Sequence, residues 1–169
     1  NRILLDTSPE DLQQLNREKM VEMGVREAVI KEFLHNPAYS PRHKTILVHA
    51  LAEMQGVKNR EQFIKKALFA EYEEEAFLYQ RMAEMLYGYH THVKPIKELV
   101  PVRKFAVGYT SDQTVVATFP IDLLYWTELS DLGSAALAKL DLTGRPIKKT
   151  ELWFTGTLTP KAMQELSAR

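Results

Sequence analysis

Hydrophobic positions recur at helical spacing through the first half of the chain, then give way to strand-like alternation. The longest helical pattern runs from Asn59 to His92, a segment without proline and rich in aromatic and methionine side chains. Phe63, Ile64, Ala67, Leu68 and Ala70 open its apolar stripe, and Phe77, Leu78, Met82, Met85 and Leu86 close it. Between them the stripe thins at Glu71-Tyr72-Glu73-Glu74-Glu75. The pattern predicts one long helix with an acidic, solvated middle. Asn59 followed by Gln62 has the form of a capping box at its start.

Three shorter helices are expected before it. Ser8-Pro9-Glu10-Asp11 combines a capping hydroxyl, a proline suited to the first helical position and two acids for the positive dipole end. Leu12, Leu15, Lys19 and Met23, with Met20 beside them, form a narrow stripe that stops at Gly24. Val25, Val29, Ile30, Phe33 and Leu34 mark a second helix up to His35, closed by Asn36-Pro37. Ser40-Pro41 repeats the first start signal, and Ile46, Leu47, Ala50, Leu51 and Met54 carry a third helix to Gln55. Short links between helices imply a compact bundle.

After His92 the pattern changes. Lys94-Pro95 and Val100-Pro101 bracket a connector, because each proline disfavours helix at the residue before it. Phe105, Val107 and Tyr109 alternate with smaller or polar residues, and Thr114 to Phe119 is a β-branched run, so a β-hairpin is expected. Asp122 is placed to cap a short helix carrying Leu123, Leu124, Tyr125 and Trp126, and Ser134 to Leu140 suggests another. Glu151 to Leu158 reads as a third strand, and Thr159-Pro160 starts a last helix. The fold class that follows is α+β. A helical bundle of about four helices over residues 1–93 precedes a small, mainly antiparallel sheet with short helices over 94–169, the two packed as one unit. The final strand-helix order invites a further strand, and the chain opens on Asn1, so a longer natural chain or a removed leader is expected.

Composition narrows the function without choosing it. Lysine plus arginine and aspartate plus glutamate number 22 each, so there is no basic excess to attract nucleic acid or anionic lipid. No apolar run approaches the roughly 18–20 residues of a membrane span, which points to a soluble chain. The absence of cysteine excludes disulfides, thiolate metal sites and cysteine nucleophiles.

Candidate chemistry centres on His90-Thr91-His92. In extended chain both imidazoles face one side and could share a divalent metal such as zinc, with Glu84 or Glu98 as a third ligand. In a continuing helix they diverge by about 200° and could not. Glu32 and His35 have the spacing used in di-iron bundles, but no second Glu-x-x-His exists to complete such a site. Thr155 to Pro160 joins a strand to a helix start, a weak anion-site geometry that capping by Thr159 explains as well. No Gly-x-Ser-x-Gly or phosphate-loop pattern is present. Tyr125, Trp126 and Trp153 are aromatic residues suited to anchoring a partner. The sequence alone therefore favours a non-catalytic domain, with no cofactor and with a protein partner or self-association. A metal-dependent hydrolase built on His90 and His92 is the alternative.

Overall fold

Both Ser-Pro pairs start helices, as their capping chemistry requires. The computed structural model describes residues 7–124, 135, 137 and 139–168. Helix α1 spans Pro9–Glu22 and α3 spans Pro41–Glu53, with α2 (Glu27–His35) between them. Ser8 Oγ accepts the Asp11 amide and Ser40 Oγ accepts the His43 amide, each at 3.1 Å. Gly24 follows α1 with a φ of +79°, the left-handed conformation expected after a helix end. Helix α3 packs against α1, and its buried Leu47, Val48 and Leu51 belong to the main core.

The central stretch is not one helix. It divides into α4 (Arg60–Ala67) and α5 (Glu73–His92), separated by Leu68 to Tyr72. The cause lies in the loop between α2 and α3. Tyr39 donates its hydroxyl to the Ala67 carbonyl at 2.8 Å, and Asn36 Nδ2 donates to the Ala70 carbonyl at 3.1 Å. These side chains take carbonyls that a continuous helix would pair with amides four residues on. Glu73, Glu74 and Glu75 then occupy the first turn of α5, where the dipole favours acids. The expected mid-helix solvated face is instead a helix start.

The break also resets the phase of the apolar stripe. Ala76, Tyr79, Met82, Ala83, Leu86 and Tyr89 form the buried face of α5, while Phe77, expected in the core, is half exposed. Nor does Asn59 cap with its side chain. It sits in the left-handed region at φ 62° and donates Nδ2 to Glu98 at 3.1 Å.

The proline-bearing connector is a strand. Strand β1 (Ile96–Val102) pairs antiparallel with β2 (Phe105–Thr110), and β2 pairs antiparallel with β3 (Thr114–Phe119). Pro101 is tolerated because β1 is an edge strand of the sheet. The expected hairpin is therefore present, extended by one strand. Strand β5 (Lys149–Phe154) adds parallel to β3, so the mainly antiparallel sheet has one parallel join.

The predicted strand from Glu151 to Leu158 is interrupted at Thr155-Gly156, giving β5 and a short β6 (Thr157–Leu158). Strand β6 pairs parallel with β4 (Leu123–Leu124), residues expected to start a helix. The pairing is held by the Gly156 and Thr157 amides, which donate to the Ile121 and Asp122 carbonyls at 3.0 Å each. Helix α6 (Pro160–Ser167) closes the described chain, with Thr159 Oγ1 accepting the Ala162 amide at 3.3 Å.

The sheet has two covered faces. Leu99, Ala106 and Val116 join the helical core, while Val107, Val115 and Ala117 form a second cluster with Leu142. Leu137, Leu140 and Leu152 pack against that second cluster. Alternation along β2 and β3 assigns neighbouring residues to the two layers. No described helix is long and apolar enough to cross a membrane.

Candidate functional site

Helix α5 continues through His92, which decides the geometry of the histidine pair. Two residues apart on a helix, the rings leave the axis about 200° apart and do not converge on one ion. His90 is instead tied to the following strand: its Nδ1 accepts the Ile96 amide at 3.0 Å. Burial pushes the His90 pKa below its ordinary value. The same amide bond favours the neutral ring, since only an unprotonated Nδ1 can accept it. His92 is exposed at the helix end. Glu84 is held within its own helix, accepting from Arg81 at 2.9 Å and from Gln80 at 3.3 Å. Among the described residues no three His, Asp or Glu side chains are grouped to hold a metal ion.

Glu98, the other acid considered beside the pair, serves the fold. Arg145 Nε and Nη2 reach its two carboxylate oxygens at 2.7 and 3.0 Å, a bidentate pair that Asn59 completes. The hydrogen bond from Arg145 holds the Glu98 carboxyl below its usual range. His35 ends α2 with Nδ1 at 2.7 Å from the Lys31 carbonyl.

Of the three aromatic residues expected to anchor a partner, Trp153 is visible and Tyr125 and Trp126 lie outside the described residues. Trp153 projects from β5 toward the end of α5 and remains 40% exposed. Its Nε1 donates to Glu151 at 3.1 Å, and its ring meets Tyr89 edge-on at 5.4 Å and 82°. Burial pushes the Tyr89 hydroxyl up to about 12, with the nearby Glu151 carboxylate acting in the same direction. The hydroxyl and carboxylate are close, yet no hydrogen bond of regular geometry satisfies the buried hydroxyl among the described residues.

A larger exposed aromatic group stands where the central stretch breaks. Phe69, Tyr72 and Phe77 are 52%, 64% and 50% exposed, all within nine residues of chain. Phe69 is covered on one side by the Lys66 ammonium, 5.7 Å from its ring centre. Phe77 lies 6.0 Å from the His43 ring. Glu71, Glu73, Glu74 and Glu75 surround these rings in sequence, and all four are exposed. The Glu75 carboxylate accepts the Glu71 amide at 2.8 Å, which fixes the turn into α5.

Hydrophobic periodicity missed this corner, because a single-helix reading placed Phe77 in the core. The available signal was the run of three glutamates, which marks a helix start as well as a solvated face. No protein-family model matches the chain, and no curated protein or solved structure matches it significantly.

Proposed function

We propose that the chain is a non-catalytic protein-interaction domain that docks a partner on Phe69, Tyr72 and Phe77. The observation that carries this reading is the exposure of three large aromatic side chains in one nine-residue corner. Aromatic residues are favoured anchors in interfaces, and grouped exposed apolar surface marks interaction sites more often than scattered single residues do. The surrounding glutamates select the partner's chemistry. A segment carrying lysine or arginine between apolar residues would cover the rings and meet the acids. Trp153, which donates to Glu151 and meets the Tyr89 ring, offers a second and smaller anchor.

The test is site-specific photocrosslinking from position 72 in the native cellular setting, with position 18 on exposed α1 as the control. The expected result is a discrete adduct from position 72 alone, to a protein whose crosslinked segment is basic and apolar. It should weaken at high salt, where exposed charges are screened, and disappear when Phe69→Ser and Phe77→Ser are combined. An adduct that survives both substitutions, or one whose mass shows only a second copy of this chain, would overturn the reading.

A further inference from the structure

The two edges of the four-stranded sheet, β1 and β5, are built differently. An unpaired edge strand leaves a row of backbone N–H and C=O groups that can template another strand. At β1 that row is interrupted. Lys58 forms an isolated bridge to it: its amide donates to the Lys97 carbonyl, and its carbonyl accepts the Leu99 amide, each at 3.0 Å. Two residues beyond Leu99 on the same outer row, Pro101 has no N–H to offer. Strand β5 carries neither device. Its six residues include no proline, and their register with β3 runs unbroken from Lys149 to Phe154. Among the described residues no strand pairs with the far side of β5.

The charges along β5 complement themselves. Alternation puts Lys149, Glu151 and Trp153 on one face of the strand. Lys149 Nζ and Glu151 Oε1 lie 2.8 Å apart, with the lysine side chain mostly exposed. Set a second β5 antiparallel beside the first, about a two-fold axis at Thr150. Lys149 of each copy then faces the partner's Glu151, and Thr150 faces the partner's Thr150. Trp153 falls diagonal to the partner's Lys149, within reach of a cation–π contact. Directly opposed residues stand about 4.5–5.5 Å apart, closer than the roughly 6.6 Å between alternate residues of one strand. The cross-strand ion pairs are therefore geometrically easier than the internal one. An axis at Glu151 would instead oppose two carboxylates, which is destabilising, and an axis at Leu152 would leave Lys149 facing Thr155. Charge selects the register centred on Thr150.

We propose that β5 pairs antiparallel with β5 of a second copy of this chain, about a two-fold axis at Thr150. The two four-stranded sheets then join into one continuous sheet of eight strands. Such an interface brings one patch against itself, so the Lys149–Glu151 complementarity is used twice. The seam runs from Lys148 to Leu152. It shares no residue with the aromatic corner and does not depend on the docking proposed there.

The test is sedimentation velocity of the full chain over a range of concentrations. The samples are the wild type, Lys149→Glu, Glu151→Lys and an equimolar mixture of the two variants. The wild type should show a concentration-dependent dimer. Either substitution turns two opposite-charge pairs into like-charge pairs, so each should raise the dimer dissociation constant at least about tenfold. The mixture should restore the dimer, because both facing pairs are again opposite in charge. Damage confined to one fold would not be repaired by mixing. Thr150→Cys gives a second readout, since the chain has no cysteine of its own. Opposed Cα atoms about 4.5–5.5 Å apart are within disulfide range. Mild oxidation should yield a covalent dimer of Thr150→Cys and none of Glu18→Cys, on an exposed position of α1. If a charge variant unfolds, the cysteine pair decides alone. The proposal is overturned if the wild type stays monomeric up to about 1 mM or if both charge variants dimerise as tightly as the wild type. A mixture of folded variants that stays monomeric, or a Thr150→Cys chain that does not crosslink, would overturn it too.

Discussion

Replacing Tyr39 by phenylalanine isolates the contact that ends α4. The Tyr39 hydroxyl donates to the Ala67 carbonyl at 2.8 Å, in a residue that is 3% exposed. Its ring packs on Phe33 with centres 5.0 Å apart, and phenylalanine preserves that packing. The substitution therefore removes one hydrogen bond while keeping the shape of the core. A buried carbonyl that loses its partner costs about 1–3 kcal/mol. Ala67 also receives the Ala70 amide at 3.3 Å, a long bond that spares it from complete isolation. The lower part of the range applies, about 1–2 kcal/mol. For a chain of this size that is roughly 2–8 °C in Tm.

Urea unfolding followed by far-ultraviolet circular dichroism measures the loss. The midpoint should fall with an unchanged slope, because the surface exposed on unfolding stays the same. A loss under roughly 0.3 kcal/mol would refute the reasoning, since that is well below the cost of a missing buried bond. A rise in helical signal at unchanged stability would point to the same failure. It would mean that the Ala67 carbonyl had taken the Glu71 amide and that α4 and α5 had fused.

Three further outcomes follow from the same structure. The His90 ring has a depressed pKa, so the unfolded chain binds a proton first as pH falls. Stability should be fully present above the ordinary histidine pKa of about 6.5 and decline as pH drops from there toward the folded value. His90→Gln, which keeps an acceptor for Ile96 but does not titrate, should flatten that decline in urea midpoints taken across the range. Glu98 has the matching carboxylate behaviour, present above the ordinary value and lost as pH falls through the depressed one. Glu98→Gln should cost about 1 kcal/mol near neutral pH, discounted for the partly exposed Arg145, and should weaken the acid limb. At Gly156 an added Cβ would overlap the Asp122 carbonyl, where β4 and β6 meet. Gly156→Ala should therefore cost about 2 kcal/mol or more by thermal unfolding, and a change below about 0.5 kcal/mol would contradict the close approach of these strands.

Among the candidate residues, the sequence pointed to His90, His92 and Trp153 but could not say how their side chains meet. The conformation of the segment around Gly88 decides the histidines, and a single glycine is compatible with helix or with its end. The buried partner that His90 finds is Ile96, on a strand that Pro95 before it and Pro101 within it disguise as a connector. Trp153 could be assigned to a strand from its neighbours, yet its support by Tyr89 depends on β5 lying beside the end of α5. Phe69, Tyr72 and Phe77 were in plain view as residues and hidden as a surface. Their exposure follows from a change of helical phase that periodicity averages away.

The sequence by itself determined the features whose causes are local. Ser8, Ser40 and Thr159 each cap a helix through an amide three residues ahead, so their starts follow from adjacent residues. The β2–β3 hairpin likewise follows from alternation and a short polar turn. Tertiary structure decided the rest. The break in the central stretch depends on Asn36 and Tyr39, which are 34 and 28 residues from the carbonyls they bind. Strand β1 exists because β2 offers it a partner, and β4 because β6 does. A helix finds its hydrogen bonds within its own segment, whereas a strand must borrow them from another. The long helical pattern from Asn59 to His92 was correct in secondary-structure type on both sides of the break. Only packing against the α2–α3 loop made it two helices and left Phe69 and Tyr72 exposed between them, with Phe77 exposed on the second turn of α5.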